Sequence, residues 1–249
     1  MDNNTKNPPK TYYYKIWAED VKEEWDIYRP IYQYMKLEFF LNLMYRKKYF
    51  VNIKKNFDDK NEGRLPFSLS SFGLSVVGAP ISTEEMAEKS KKREKVREDY
   101  SKMGILPTSC WTYHKNESIL MWNAYAFPYG IRIKTDVNSY LDNLDYFGYT
   151  VYCGFMHYDG YNDTKEHNMF SKERMYEDER EFRFYFKPKD KDIAKRINED
   201  GHICLDILDL KGFIEEVNLS PYIKKNYALK QLIEGVCHEY GIKVSISRD

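Results

Sequence analysis

The sequence predicts an α+β fold: a single domain with mixed, mostly antiparallel sheets and flanking helices. Two observations favour this class. Short segments typical of strands recur along the chain, and segments with helical spacing of apolar residues lie between them. The chain has 249 residues, 42% of them hydrophobic, which is enough for a sizeable core, and it contains no internal repeat or low-complexity linker. We therefore expect a disordered leader over residues 1–11 and one domain over residues 12–249.

Strands are predicted where apolar and polar residues alternate, or where short apolar runs are bounded by breakers. In chain order they are residues 25–29, 49–53, 106–113, 130–134, 149–157, 179–187, 203–208, 213–219 and 242–247. The first of them is expected to end at Pro30, because proline cannot donate a hydrogen bond to a strand ladder.

Helices are predicted where apolar residues recur three and four positions apart. In chain order they are residues 33–45, 83–103, 117–126, 137–144, 189–199 and 222–240. Ser82 and Glu85 form a capping box for the second helix, and Asn116 is placed to cap the third. Long irregular segments remain at 54–80 and 158–174, and loops of that length in a compact domain are usually functional.

The charge balance limits the partners of the chain. Lys and Arg together number 39, as do Asp and Glu, so the net charge is zero and no global field attracts nucleic acid or an anionic membrane. The start of the chain is polar, and no apolar run reaches membrane-spanning length, so we expect no membrane partner. The four cysteines form no Cys-x-x-Cys pair, which indicates reduced thiols and a cytoplasmic location.

Tyrosine is unusually frequent, with 23 Tyr and 14 Phe in the chain. Tyrosine rings suit stacking on bases or nicotinamide, but a tyrosine-rich core encoded by an AT-rich genome has the same composition. Both interpretations stay open at this point.

The predicted strand 179–187 has two chemically different faces, because successive side chains of a strand alternate. The apolar face consists of Phe182, Phe184 and Phe186, and the polar face consists of Glu179, Glu181, Arg183 and Tyr185. We expect the phenylalanines to be buried. In an enclosed cleft the pKa of one carboxyl group would rise, which prepares it for acid–base work or for stabilising a cation. The alternative is a solvated face whose Glu and Arg side chains neutralise one another.

Motifs for several common chemistries are missing from the sequence. It has no phosphate loop, no dinucleotide fingerprint, no HExxH and no Gly-x-Ser-x-Gly, and its five histidines share no ligand spacing. We therefore expect no metal cofactor.

Six short segments occur in an order that carries a resemblance. They are Ile27-Tyr28-Arg29, Phe57-Asp58-Asp59-Lys60-Asn61-Glu62, Ser109-Cys110-Trp111-Thr112, Leu120-Met121-Trp122-Asn123-Ala124-Tyr125, Tyr129-Gly130-Ile131-Arg132-Ile133 and Glu179-Arg180-Glu181-Phe182-Arg183. This order resembles a large bacterial family of domains of unknown function, whose landmarks are LYR, FNDPFE, CFS, LMWxxY, GvciGF and YExEwR. The chain departs from these landmarks in the second segment, at Thr112 in place of Ser, and at Ile133-Lys134 in place of Gly-Phe.

That family is similar in turn to the ADP-ribosyltransferase fold, in its order of a Tyr-Arg strand, a polar middle strand and a late Glu strand. The resemblance implies that NAD is the substrate and that Arg29 holds its phosphates. It also implies that Ser109 or Thr112 orients the ribose. Trp122 and Tyr125 lie three apart on one helix, and Tyr125 would stack on nicotinamide.

The resemblance also assigns the carboxylates. Glu181 would stabilise the positively charged ribosyl centre as nicotinamide leaves, and Glu179 would activate the acceptor. The acceptor itself stays open between nucleic acid, protein and a small molecule. A toxin or a phage-defence effector of a bacterium would fit such an enzyme.

Two other functions compete with this one. The first is a binding module of the same architecture that holds a nucleotide or nucleic acid without turnover, in which the tyrosines and residues 130–134 matter most and the Glu pair is structural. The second is a metal-dependent nuclease built from carboxylates, which would be Asp58, Asp59, Glu62 and Glu181.

One geometric expectation separates the transferase from its alternatives. Arg29, Trp122, Tyr125 and Glu181 should converge on one cleft, although up to about 150 residues separate them. If Arg29 and Glu181 lie on opposite faces of the sheet, no shared site exists and the transferase interpretation built on them is rejected.

Overall fold

Strands and helices alternate within the parts of the chain that the structure describes. The computed structural model describes residues 27–53, 91, 106–158, 170, 172 and 174–247. The leader expected over residues 1–11, the irregular segment 54–80 and, apart from Lys91, the helix predicted over 83–103 lie outside the described residues.

Ten strands occur within the described ranges. They are β1 (Pro30–Met35), β2 (Lys48–Asn52), β3 (Thr108–Thr112), β4 (Ile131–Asp136), β5 (Leu144–Asp145), β6 (Tyr149–Phe155), β7 (Glu181–Pro188), β8 (His202–Ile207), β9 (Glu216–Leu219) and β10 (Lys243–Ile246).

Helices connect the strands in the same ranges. The α-helices are α1 (Leu37–Arg46), α2 (Ile119–Tyr125), α3 (Val137–Asp142), α4 (Lys191–Asp200), α5 (Leu210–Phe213) and α6 (Tyr227–Glu239), and the 3₁₀ helices are Arg174–Glu179 and Pro221–Lys225. Among the described residues, no helix has both the length and the apolar character needed to cross a membrane.

The strands form two sheets. The larger sheet has seven strands in the order β10-β9-β4-β1-β3-β7-β6, and the smaller has three in the order β2-β8-β5. All strand pairs are antiparallel except β9 with β10. An isolated antiparallel bridge joins Ile53, just after β2, to Pro107, just before β3. The α+β class with mostly antiparallel sheets is therefore confirmed.

The core lies against one face of the seven-stranded sheet. Phe182, Phe184 and Phe186 are fully buried on this face, as predicted. The ring of Phe184 stacks on the Tyr140 ring of α3, with centroids 4.1 Å apart. Aromatic contacts of this kind add to the free energy of burying the rings themselves. The main core joins side chains from Ile31 to Ile242 into one cluster.

The opposite face of β7 is polar but is not solvated. The relative exposure of Glu181 is 4%, that of Arg183 is 0% and that of Tyr185 is 1%. The predicted alternation of β7 is correct, whereas the alternative of a solvated polar face is wrong. The physical reason is that Tyr158, Phe170 and Lys172 pack over this face of β7 and exclude water from it.

The structure corrects the first predicted elements. Of the strand predicted over 25–29, the described residues 27–29 are not in a strand. Pro30 begins β1, because a proline is tolerated at the first position of a strand, where it is exposed. The helix predicted over 33–45 begins only at Leu37. Its first three residues belong to β1, since a short apolar run fits strand and helix periods equally well.

Two later boundaries differ for local reasons. Ser118, and not Asn116, caps α2 by accepting a hydrogen bond from the backbone N of Met121 at 3.4 Å. The strand predicted from Glu179 starts at Glu181, because Glu179 ends the 3₁₀ helix and Arg180 has a positive φ of 42°.

We expect Phe184→Ala to destabilise the protein strongly, by about 3–5 kcal/mol, because it opens a cavity beneath the fully buried aromatic cluster. Phe147→Ala is the matched control. The Phe147 ring is 91% exposed, so its loss should change the free energy of unfolding by less than about 0.5 kcal/mol. Urea unfolding of the two variants checks this, and equal losses would contradict the core described here.

Candidate functional site

A polar row crosses the seven-stranded sheet on the face opposite the core. Thr112 of β3 is directly opposite Glu181 of β7, and Tyr32 of β1 is opposite both Thr112 and Lys134 of β4. Directly paired residues of antiparallel strands project to the same side of a sheet. The polar row therefore brings together side chains from four strands.

Four charged side chains form a network at the β7 end of this row, which we call the charge quartet: Lys172, Glu179, Glu181 and Arg183. Arg183 binds Glu181 through two hydrogen bonds, from Nε to Oε1 and from Nη2 to Oε2 at 2.8 Å. Lys172 Nζ lies 2.6 Å from Glu179 Oε2 and 3.2 Å from Glu181 Oε2. Two cations and two carboxylates make the quartet neutral, which is what burial of charges requires.

The quartet holds Glu181 in its ionised form. Burial by itself would raise the pKa of the Glu181 carboxyl, but the charges of Arg183 and Lys172 outweigh burial and lower the pKa to about 2. Burial likewise opposes the charge of Lys172, and the carboxylates of Glu181 and Glu179 raise the pKa of Lys172 on balance. The expectation that one carboxyl of the pair has a raised pKa is not met at Glu181, because two cations accompany the pair.

Tyr125 of α2 contacts the quartet, although α2 is distant from it in sequence. Its Oη donates a hydrogen bond to Glu179 Oε1 at 3.1 Å, although 54 positions separate the two residues. Burial, followed by the neighbouring Glu179 carboxylate, raises the pKa of the Tyr125 phenol, so the hydroxyl keeps its proton. The relative exposure of Tyr125 is 45% and that of the Glu179 side chain is 20%. Tyr125 and Glu179 are therefore the accessible members of this region.

Trp122 anchors α2 beneath Tyr125. It is 1% exposed, its ring meets the Tyr34 ring edge-on at 4.9 Å, and its Nε1 donates to Glu117 Oε2 at 3.0 Å. The Tyr34 hydroxyl also accepts a hydrogen bond from the backbone N of Ser118, the capping residue, at 3.1 Å. Trp122 is therefore buried packing that positions Tyr125, not an open surface for a ligand.

Arg132 fastens the chain that leads into α2. Its Nη2 donates to the carbonyl oxygens of His114 and Lys115 at 3.0 and 2.7 Å, and its guanidinium lies over the Tyr32 ring at 3.7 Å. Arg132 is 3% exposed, and these contacts replace part of the water that the cation loses, whereas its buried Nε has no hydrogen-bond partner among the described residues. Arg132 of the polar row thus fixes the position of the segment that leads into α2.

Arg29 lies on the other face of the sheet. Its guanidinium carbon is 5.2 Å from the Tyr113 ring centroid and 5.6 Å from that of Phe155. Phe155 packs against Phe182, which faces the core, whereas the next residue back, Glu181, faces the polar row. Arg29 and Glu181 therefore lie at the same end of the sheet but on opposite faces, and they do not share a cleft.

The two predicted ribose-orienting residues are also separated. Ser109 faces the core, where its Oγ accepts a hydrogen bond from Trp111 Nε1 at 2.8 Å and pairs with the Tyr49 hydroxyl at 2.6 Å. Thr112 does lie in the polar row opposite Glu181, but it is 3% exposed and its Oγ1 accepts from the backbone N of His114. Ser109 is a core residue, and Thr112 is a buried neighbour of the quartet.

Two residues of this region, Lys172 and Tyr158, carry no signal of their role in the sequence. Lys172 lies in the segment 158–174, where no periodicity indicates the direction of a side chain. Tyr158 is also in that segment, and its hydroxyl accepts the backbone N–H of Glu181 at 2.8 Å. The one available signal was the pair of carboxylates itself, because buried carboxylates need cations from elsewhere in the chain.

In the described part of the chain, no group of three or more His, Cys, Asp or Glu side chains is arranged to hold a metal ion. Asp58, Asp59 and Glu62, from which a nuclease site was considered, lie outside the described residues. Glu181, the fourth of that set, is bound by Arg183 and Lys172.

Comparison with models of protein families, with curated proteins and with solved structures found no match to this chain. The family resemblance described above stays an expectation from the order of short motifs.

Glu181→Gln should make the free energy of unfolding less dependent on pH in the acid range. The folded pKa of about 2 is below the ordinary value of 4.5, so the stabilisation from Glu181 is present above about pH 5 and is lost as the pH falls toward 2. The stability advantage of the wild type over the variant should shrink across that window by roughly 3 kcal/mol. Urea unfolding at a series of pH values measures this difference.

Glu177→Gln is the matched control, because the Glu177 side chain is 63% exposed and pairs only loosely with Arg174 at 3.8 Å. The difference in free energy of unfolding between Glu177→Gln and the wild type should change little with pH. A gap between wild type and Glu181→Gln that is the same at pH 6 and pH 3 would contradict the ionised, buried Glu181 described here.

Proposed function

We propose that this chain is a nucleotide-binding module in which the base of the ligand stacks on Tyr125 and its ribose meets Glu179. The observation that carries the proposal is the hydrogen bond from Tyr125 Oη to Glu179 Oε1, which joins a half-exposed ring to a partly exposed carboxylate. An aromatic ring stacks on any base, and a carboxylate accepts hydrogen bonds from ribose hydroxyls. The two groups are therefore complementary to the two parts of a nucleoside.

Glu179 has acceptor capacity left for such a ligand. An ionised carboxylate offers about four acceptor positions. Among the described residues, Tyr125 occupies one on Oε1 and Lys172 occupies one on Oε2. Hydroxyl groups of a ribose can then bind without displacing either neighbour, and both neighbours keep the carboxylate in place.

Binding without turnover is favoured over catalysis because of the surroundings of Glu181. A carboxylate that stabilises a positively charged ribosyl centre has to lie next to it with its charge available. Glu181 is 4% exposed, and Arg183 and Lys172 already neutralise it. Exchanging one of these charge-assisted hydrogen bonds costs about 1.5–3 kcal/mol. Glu181 then acts as a structural member of the quartet.

The architecture that we assign to this module is the ADP-ribosyltransferase-like one. The order of the motifs along the chain and the mostly antiparallel α+β arrangement support it. NAD, which contains two nucleosides, is the ligand that this assignment favours.

An ADP-ribosyltransferase is the second candidate, and one observation favours it. Glu179 is a carboxylate that a ligand can reach, and it lies beside the ring on which nicotinamide would stack. In this version Glu179, and not Glu181, faces the ribose of NAD. Arg29 and Ser109 lie on the core face of the sheet and do not contact the ligand. The acceptor of ADP-ribose stays open between nucleic acid, protein and a small molecule.

Tyr125→Ala should weaken binding of NAD and of AMP, because stacking of a base on an aromatic ring contributes about 1–3 kcal/mol, or roughly 5- to 150-fold in Kd. Tyr125→Phe keeps the ring and should keep most of the affinity. Tyr45→Ala is the control, since it removes a 69% exposed tyrosine on α1. Isothermal titration calorimetry measures the affinities, and chromatography of the same samples measures release of nicotinamide.

The outcomes separate the two candidates. Binding of NAD without release of nicotinamide supports the binding module. Release of nicotinamide that Glu179→Gln abolishes rejects the module in favour of the transferase. No binding of NAD or AMP to the wild type rejects both.

A further inference from the structure

Exposed aromatic side chains are concentrated at the C-terminal end of α2. Tyr125, Phe127 and Tyr129 are all exposed within five positions of the chain, and Tyr222 is exposed as well. The rings of Phe127 and Tyr222 meet edge-on, with centroids 5.3 Å apart. Single exposed apolar side chains are ordinary on a protein surface, whereas a contiguous group of them marks an interaction site.

The backbone beneath Phe127 is held in place by the segment that follows β9. The Ser220 hydroxyl donates to the Pro128 carbonyl at 3.0 Å, and the Ser220 N–H donates to the Gly130 carbonyl at 3.1 Å. A Cβ at position 130 would lie 2.2 Å from the Ala126 carbonyl oxygen, so glycine is needed where the turn folds back onto α2. Little backbone freedom is therefore lost when a ligand binds at this turn.

A lysine accompanies the Tyr222 ring. Tyr222 and Lys225 belong to the 3₁₀ helix Pro221–Lys225, in which side chains three positions apart eclipse one another. Lys225 is exposed and forms no ion pair with any of the residues that the structure describes. The Tyr222 hydroxyl donates to Asn123 Oδ1 at 3.2 Å, which connects the ring to α2. Phe127, Tyr222 and Lys225, which we call the aromatic platform, thus place two rings beside a positive charge.

We propose that the aromatic platform binds single-stranded RNA, an inference that rests on the proposed function. One nucleoside occupies the site at Tyr125 and Glu179, and a neighbouring base of the same strand stacks on the platform. Lys225 then contacts a phosphate of that strand. Tyr125 lies two positions before Phe127, so their Cα atoms are at most about 7.6 Å apart and the platform adjoins the nucleoside site.

The chemistry of the two sites favours RNA in single-stranded form. Glu179 accepts hydrogen bonds from ribose hydroxyls in the proposed function, and the 2′-hydroxyl is the group that distinguishes RNA from DNA. Stacking on a protein ring needs bases that are not already stacked within a duplex. Because the net charge of the chain is zero, we expect stacking to supply more of the affinity than phosphate contacts do.

Fluorescence anisotropy with short labelled strands of oligoadenylate and oligodeoxyadenylate tests the platform, and AMP is the matched mononucleotide. Phe127→Ala should weaken oligoadenylate about 5- to 150-fold, the loss expected for one stacked base, and change AMP by less than about twofold. Phe127→Trp keeps an aromatic face and should keep the affinity. Phe147→Ala is the control, because it removes a 91% exposed ring between β5 and β6. Thermal unfolding shows that each variant is folded.

The phosphate contact has its own test. Lys225→Gln should weaken oligoadenylate and lower the slope of log affinity against log salt by about 0.7, the value for one phosphate of a single strand. Lys195→Gln is the matched control, since Lys195 is exposed on α4 and lies 3.9 Å from Glu199. An equal loss of slope in both variants is a general charge effect and would overturn the contact at Lys225.

Oligoadenylate that binds no more tightly than AMP, or that Phe127→Ala and Phe147→Ala weaken equally, would overturn the platform and leave the proposed function standing. Equal affinity for the RNA and DNA strands would overturn the assignment of RNA. If neither AMP nor NAD binds, the proposed function fails, and selective weakening of oligoadenylate by Phe127→Ala still supports the platform. No binding of oligoadenylate overturns it, and loss of self-association in Phe127→Ala would then assign the rings to contact between copies of this chain.

Discussion

The bidentate ion pair between Arg183 and Glu181 is the interaction on which the polar half of this structure depends. Tyr158, Phe170 and Lys172 pack over the polar face of β7, so its polar side chains are buried. Removing either partner would break a buried, charge-balanced pair, which is among the most costly changes a fold can undergo. Lys172 completes the balance and connects Glu181 to Glu179. Lys172 thereby holds the accessible Glu179 carboxylate beside the buried Glu181 carboxylate.

Alternation along β7 was predictable because it needs only the period of a strand, and Phe182, Phe184 and Phe186 follow it. The meeting of Tyr125 with Glu179 was anticipated only through the order of the motifs, since no local pattern connects residues 54 positions apart. The start of β7 was not predictable. Arg180 takes a left-handed conformation that its residue type does not favour, and tertiary hydrogen bonds hold it there.

The predicted site residues are separated because side chains an odd number of positions apart on a strand face opposite sides of the sheet. Ser109 and Thr112 are three positions apart on β3, so they must face opposite sides of the sheet, and this could have been read from the sequence. The position of Arg29 could not, because it depended on whether Pro30 ends a strand or begins one. Which face a polar residue occupies is decided by the register of the whole sheet.

The bridge between Ile53 and Pro107 has a consequence for how this chain can change. The chain leaves the two sheets and re-enters them at adjacent points. The cost of closing a loop between two fixed, adjacent ends grows only with the logarithm of its length. A longer or shorter connection between Ile53 and Pro107 therefore changes the entropy of closing it only slightly. The bridge thus makes this junction a place where a change of chain length has a small entropic cost for the pairing of β2 and β3.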